Sequence, residues 1–369
     1  MSPAFSSLRQ AVGFVLLLLV LLLLPLLVPR SVLPPREQIY ASLPWNVGPY
    51  AFIHDQIYAE KSDIDIAIIG DSQIWTGVDT PSLQQQLSAK LGRPAVVISL
   101  CCPWAGFDGP FFLARDLFQH RKVRMLVFND ASGATVVQDT PHKQAWRWFR
   151  FTEDSAELAG LSLRYKLIYY YGSILGMPRN LVSVLRPNLA PVLTSESEEV
   201  FEQTHHWIFP TKRLGSLDVQ ISYDNRPDLF RKFTPETAAK PSDFDIYSAQ
   251  TKNSFLFASN PTSSLQIYFA RKLASLAQAN GTALTYVSLP VFEDRHSQLI
   301  REKFFWPDAM QAPANMVGIP PSVLFDGLPE KDISNLFFDA YHFNENGKLY
   351  FTSLLAPNLI SIYDKTTKN

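Results

Sequence analysis

The stretch Ile64-Asp65-Ile66-Ala67-Ile68-Ile69-Gly70-Asp71-Ser72-Gln73-Ile74-Trp75-Thr76-Gly77 decides the fold. Its first half is a β-branched, apolar run of the kind a strand needs when it is covered on both faces. The run stops at Gly-Asp-Ser, where Gly70 permits a sharp turn. A helical segment, Pro81 to Leu91, follows. A serine at such a strand-to-helix corner projects its hydroxyl into the crevice at the carboxyl end of a parallel sheet, beside backbone N–H groups able to face an anion. Read alone, the tripeptide is equally a polar turn in which Asp71 or Ser72 caps a helix.

Working outward, Ala95 to Leu100 reads as a second buried strand, followed by the small-residue loop Cys101-Cys102-Pro103-Trp104-Ala105-Gly106. Gly109 to His120 has the spacing of an amphipathic helix, with Phe112, Leu113, Leu117 and Phe118 on its apolar side. Arg124 to Phe128 is a third strand, ending at Asn129-Asp130. Strand, helix, strand, helix, strand within about 70 residues predicts an α/β fold, a mostly parallel sheet with helices on both faces. The three strand ends carry Ser72, Gly106 and Asn129 along one edge, where open α/β sheets bind ligands.

The rhythm breaks over residues 131–261, which read as an insertion, helical at first and then irregular. It resumes with a helix over Ser264 to Ala279, closed by Asn280-Gly281, and a buried strand over Ala283 to Leu289. Near the end, Asp339-Ala340-Tyr341-His342 precedes a final helix over Glu345 to Ile362. The expected organisation is therefore an N-terminal anchor over 1–30, a linker and domain entry over 31–60 (a Pro-containing linker from Ser31 to Pro44, then a short helix within Asn46 to Lys61), an α/β domain over 61–130 and 262–369, and the insertion, 131–261, between its halves.

Composition excludes several classes. A net charge of -1 gives no electrostatic footprint for nucleic acid. The two cysteines, Cys101 and Cys102, are adjacent, which suits neither a disulfide framework nor a zinc site; a small buried pair is expected. His205-His206 has no supporting ligand pattern, so no metal and no cofactor is expected. Trp146, Trp148 and Phe149 could stack on a sugar ring or lie at a membrane surface, but a packing role is the simpler reading.

Ala11 to Val28 is almost unbroken apolar sequence, about the length of a membrane span and without a polar face. It is longer than a typical signal-peptide core, and no Ala-x-Ala site or cysteine follows it, so an uncleaved anchor is expected. Arg9 before it and Arg30 and Arg36 after it leave the orientation open.

Gly70-Asp71-Ser72 after the first strand, a glycine-bearing loop after the second, Asn129-Asp130 after the third and Asp339-x-x-His342 before the last helix occur in the order of the SGNH/GDSL hydrolase superfamily, which the sequence resembles over about 60–130 and 262–362. Two blocks depart from the family pattern. Ser99-Leu100 stands at the start of the second block, where an asparagine is usual, and Val127 replaces the glycine of the third. The resemblance implies an SGNH-like three-layer fold and a triad of Ser72 as nucleophile, His342 as base and Asp339 orienting the imidazole. It implies an oxyanion hole from the Ser72 and Gly106 N–H groups and the Asn129 amide. The chemistry agrees: a neutral hydroxyl needs a base within hydrogen-bond reach, imidazole titrates near neutral pH, and the tetrahedral intermediate needs donors aimed at its developing charge.

An anchored domain of this kind with a long central insertion is similar to bacterial envelope proteins of alginate O-acetylation and teichoic acid D-alanylation. That likeness implies an extracytoplasmic domain and an acyl-ester or polysaccharide substrate, acetyl first among the acyl groups. It also implies a multi-span membrane acyltransferase as partner. Hydrolysis and transfer share every catalytic residue. A lipase-like or small-ester hydrolase without a glycan partner and a non-catalytic envelope assembly subunit remain the alternatives.

Overall fold

The computed structural model describes residues 6–42, 50–101, 106–129, 139–142, 145–186, 263–296, 314–319, 321–337 and 342–367. Its centre is a five-stranded sheet, β1 (Ile64–Ile69), β2 (Val97–Ser99), β3 (Val123–Asn129), β4 (Ala283–Ser288) and β5 (Asn315–Gly318), in the order β2-β1-β3-β4-β5 with every pairing parallel. β1 is flanked on both sides, Ile66 lying opposite Val97 and Met125, and all six of its residues are buried. This is why, Asp65 apart, its sequence is apolar throughout.

The order reverses direction between β1 and β3. A right-handed crossover that steps one way along a sheet puts its helix on one face, and stepping the other way puts it on the opposite face. The helices divide accordingly. α4 (Ser72–Gly77), α5 (Thr80–Leu91) and, at the chain's end, α13 (Glu345–Thr367) cover the face bearing Ile66, Ile68, Met125 and Val127. α6 (Asp108–His120) and α10 (Ser264–Ala279) cover the face bearing Ala67, Ile69, Leu126 and Phe128. Asp79 caps α5, its carboxylate accepting from the Ser82 N–H at 3.0 Å, and Gly92 closes it at φ 64°. Tyr363 in α13 donates to Asp65 in β1 at 2.6 Å, tying the last helix to the central strand.

Three expectations are corrected here. The linker expected over Ser31 to Pro44 is built into the core, where Arg36–Ser42 forms α2 with Ile39 and Tyr40 buried; the expected entry helix follows as α3 (Tyr50–His54), with Tyr50 and Ile53 buried. α6 has no solvent face over most of its length; Arg115 and Asp116 are buried beneath α2, α7 (Ala145–Trp148) and α8 (Phe151–Asp154). The ions survive burial because they pair. Arg36 Nη2 donates to both Asp154 carboxylate oxygens at 2.7 Å, Arg115 Nη1 to Asp154 at 2.8 Å, and Tyr40 to Asp116 at 3.1 Å. The early part of the expected insertion joins the same core through α7, α8 and α9 (Leu163–Leu185). Trp148 is buried against Tyr40 and Tyr50, with ring centroids 4.2 and 5.0 Å away, and Phe149 against Tyr169. Those two rings therefore pack, while the Trp146 side chain lies outside the described residues. The irregular part of the insertion, including His205-His206, is likewise outside them.

α1 (Leu8–Leu27) has a mean hydropathy of 2.8 and is the one helix among the described residues long and apolar enough to cross a membrane. By length and composition it suits an anchor or a signal sequence equally. Of its side chains only Pro25 is buried.

Candidate active site

Ser72 is the first residue of α4, immediately beyond the end of β1. Asp71 caps that helix, its Oδ1 accepting from the Gln73 N–H at 2.9 Å. The cap and the catalytic reading of Gly-Asp-Ser are thus not alternatives: the cap fixes the corner, and the corner presents the hydroxyl. His342 Nε2 lies 3.0 Å from Ser72 Oγ, bringing together two residues 270 positions apart in the chain.

Asn129 is the last residue of β3, next to β1 at the point where strand order reverses. Its Nδ2 donates to Asp71 Oδ2 at 2.9 Å, and its Oδ1 accepts from the Asp71 N–H at 3.2 Å. This reciprocal pair fixes which way the amide points and locks the two strand ends together. Asp71 is buried, and burial pushes its carboxyl up from the ordinary value against the opposing pull of the Gln73 N–H, the facing His342 and Asn129. Gly70 is needed here for space. Its φ is not positive, so the expected conformational role gives way to a steric one: a Cβ would run into Asn129 Oδ1 and stand 2.8 Å from Ile74 Cγ2.

Gly106 lies beyond β2 on the same sheet edge, buried and at φ 136°, where a side chain is disfavoured. A Cβ there would stand 3.0 Å from Asp108 Oδ1. Asp108 in turn accepts from the His142 N–H at 2.8 Å and the Tyr169 hydroxyl at 2.5 Å, so the loop is held from behind by the region after β3. Nearby, Cys101 is buried, and burial pushes its thiol up to about 12, which keeps it protonated and inert. Cys102 is outside the described residues.

The segment on the C-terminal side of His342 holds it in place. Phe343 is buried against Phe337 and Phe351, and Phe337 and Phe343 form an antiparallel bridge. Asn344 Nδ2 donates to the Asn335 and Phe337 carbonyls, while its Oδ1 accepts from the Gly347 N–H. Gly347 lies where a Cβ would overlap the Leu336 carbonyl. Asp339 is outside the described residues, so the structure unites Ser72, His342 and Asn129 and sets Gly106 on the same edge. Among the described residues no group of three or more His, Cys, Asp or Glu side chains is arranged to hold a metal ion.

Sequence reasoning missed the second role of Asp71, as the partner of Asn129, and the backing of the Gly106 loop by Asp108, His142 and Tyr169. The first was visible only as a cap signal; the second has no local signature.

Fold and site together define a doubly wound parallel α/β protein with a serine–histidine pair in the crevice at its topological switch point. No protein-family model matches the chain, and neither a curated protein nor a solved structure matches it.

Proposed function

We propose that this chain is a membrane-anchored, extracytoplasmic SGNH-type serine esterase or O-acyltransferase acting on acyl esters, acetyl first among them, of a cell-surface polysaccharide. The observation that carries the proposal is the 3.0 Å contact between Ser72 Oγ and His342 Nε2 at the switch-point crevice. In the proposed mechanism Ser72 Oγ attacks the acyl carbon and its proton passes to His342 Nε2. The carbonyl electrons move onto oxygen, where the Ser72 N–H, the Gly106 N–H and the Asn129 amide receive them. Asp339 holds the other ring nitrogen and fixes the tautomer. The tetrahedral intermediate collapses, the acyl C–O bond breaks, and the leaving alcohol takes the proton from the imidazolium. Water or a sugar hydroxyl then attacks the acyl-enzyme, giving its proton to His342; the bond from the acyl carbon to Ser72 Oγ breaks, the acid or new ester leaves, and the imidazolium returns its proton to Ser72 Oγ. No step of this reaction calls on a cofactor.

Whether water or sugar resolves the acyl-enzyme depends on water exclusion at the acceptor side. The proposed partner is a multi-span membrane acyltransferase that delivers the acyl group. The full chain in detergent, incubated with an O-acetylated polysaccharide, is expected to release or transfer acetate. Turnover of simple acyl esters with no effect of polysaccharide would move the assignment to a lipase-like or small-ester hydrolase. Intact cellular function in a Ser72→Ala strain would move it to a non-catalytic assembly subunit.

Gly70→Ala gives a sharper check on the site. The added methyl meets the Asn129 amide and stands 2.8 Å from Ile74 Cγ2, on the helix that Ser72 heads, so the donor is displaced together with part of its support. Losing one oxyanion donor is expected to lower kcat about 10²–10³-fold with KM nearly unchanged. A variant with wild-type kcat would remove Asn129 from the mechanism.

A further inference from the structure

α9 carries an apolar line that nothing in the catalytic reading uses. On α9, Leu163, Leu167, Tyr171, Ile174, Leu181 and Leu185 fall within roughly 40° of one direction at about 100° per residue. Leu163, Leu167, Tyr171 and Leu185 are 70%, 44%, 55% and 66% exposed. The opposite side of the helix, with Tyr165 and Tyr169, is buried in the core. α9 contains no acidic residue; Arg164, paired with Asp139, lies beside its apolar line, and Lys166 and Arg179 lie further round the helix. Long basic side chains beside leucine and tyrosine are the composition of a helix lying in a membrane interface.

The neighbour of this face is indicated by α1. The C-terminal end of α1 packs on α8 and α9, and the Tyr170 hydroxyl donates to the Leu22 carbonyl. The connection onward is short and fixed. Only residues 28–35 separate the apolar helix from Arg36, whose guanidinium is paired with Asp154 in the core, and on the way the Pro34 carbonyl accepts from Arg150. A domain held this way cannot swing far from the surface that α1 enters. Tyr170, which bonds the Leu22 carbonyl, is next to Tyr171 of the exposed line.

We infer that α9 is a second membrane-contacting element, lying in the bilayer interface with Leu163, Leu167 and Tyr171 against lipid and its basic side chains among anionic headgroups. The inference rests on α1 being the membrane anchor of the proposed function, and it deepens that reading. Tyr169, on the buried side of α9, bonds Asp108 beside Gly106. The sheet edge carrying the candidate site therefore lies about one helix diameter, ~10 Å, from lipid. An acyl group handed over by a membrane-embedded partner has a correspondingly short path to Ser72.

The test uses the full chain with a benzophenone amino acid at one position at a time, reconstituted in nanodiscs of phosphatidylcholine and phosphatidylglycerol. After irradiation, mass spectrometry maps lipid adducts. Positions 18, 167 and 171 are expected to give lipid adducts, while 358, an exposed position on α13, gives none. Adducts at 18 but not at 167 and 171 would overturn the inference and leave the anchor standing. Crosslinks from 167 or 171 to another segment of this chain or to a second copy would overturn it in favour of a protein occupant. No lipid adduct at 18 would remove the anchor and the inference with it. None of these outcomes depends on catalysis, so they are separable from a failure of the esterase reading.

Discussion

Ser72→Ala is expected to abolish ester turnover, a fall in kcat on the order of 10⁶-fold, with the fold unchanged. The hydroxyl is the atom His342 Nε2 faces at 3.0 Å. The Cys101 thiol, a second nucleophile near this edge, is buried and held protonated. The corner itself does not depend on the Ser72 side chain, since the Asp71 carboxylate caps α4 and Asn129 holds Asp71. Circular dichroism and the denaturation midpoint should therefore match wild type. Turnover above one thousandth of wild type in Ser72→Ala would contradict the assignment of the nucleophile.

Arg36→Ala is expected to cost about 3–5 kcal/mol of stability, the range for removing one partner of a buried ion pair. Arg36 bridges Asp154 and Asp116, and burial that works against its own charge is outweighed by those two carboxylates, which hold it well above its usual range. Arg115 remains beside Asp154 in the variant, so Asp116 is left worst off, with Tyr40 and a more distant Arg115 Nε at 3.8 Å. The pH dependence has a definite sign. Burial raises the Asp116 carboxyl above its ordinary value even with Arg36 present. A carboxyl that binds its proton more tightly folded than unfolded favours folding below the unfolded value, and that favour is lost as pH rises through the folded value. Removing Arg36 raises the folded value further. The deficit of the variant should be largest near neutral pH and shrink on acidification, as urea denaturation of the full chain in detergent will report. A deficit under 1 kcal/mol at pH 7 would show that α2 is not held to the core by these ion pairs.

The parts of the fold legible in the sequence are those whose physics is local. β1 and β4 are buried runs of β-branched and apolar residues, and α5 and α10 end at Gly92 and at Asn280-Gly281. β5 was not legible. Asn315-Met316-Val317-Gly318 sits at the sheet edge and needs no apolar run to pair with β4. α2 was hidden for a different reason. Pro34-Pro35 reads as a linker and Arg36-Glu37 as solvated charge, and only Asp116 and Asp154, distant in sequence, make Arg36 a core residue. Ser72 and His342 were found by motif and order, since no periodicity links residues so far apart. The amide of Asn129 was found in the same way, but the group that aims it, Asp71, is visible only once β1 and β3 are side by side.

The central claim is that Ser72 is an activated nucleophile. Its most direct test is the intact mass of the full chain in detergent after treatment with a serine-reactive phosphonate. A single adduct is predicted, mapped to Ser72 and absent from Ser72→Ala and His342→Ala. No adduct on folded wild-type protein, or an adduct on another residue that survives both substitutions, would contradict it.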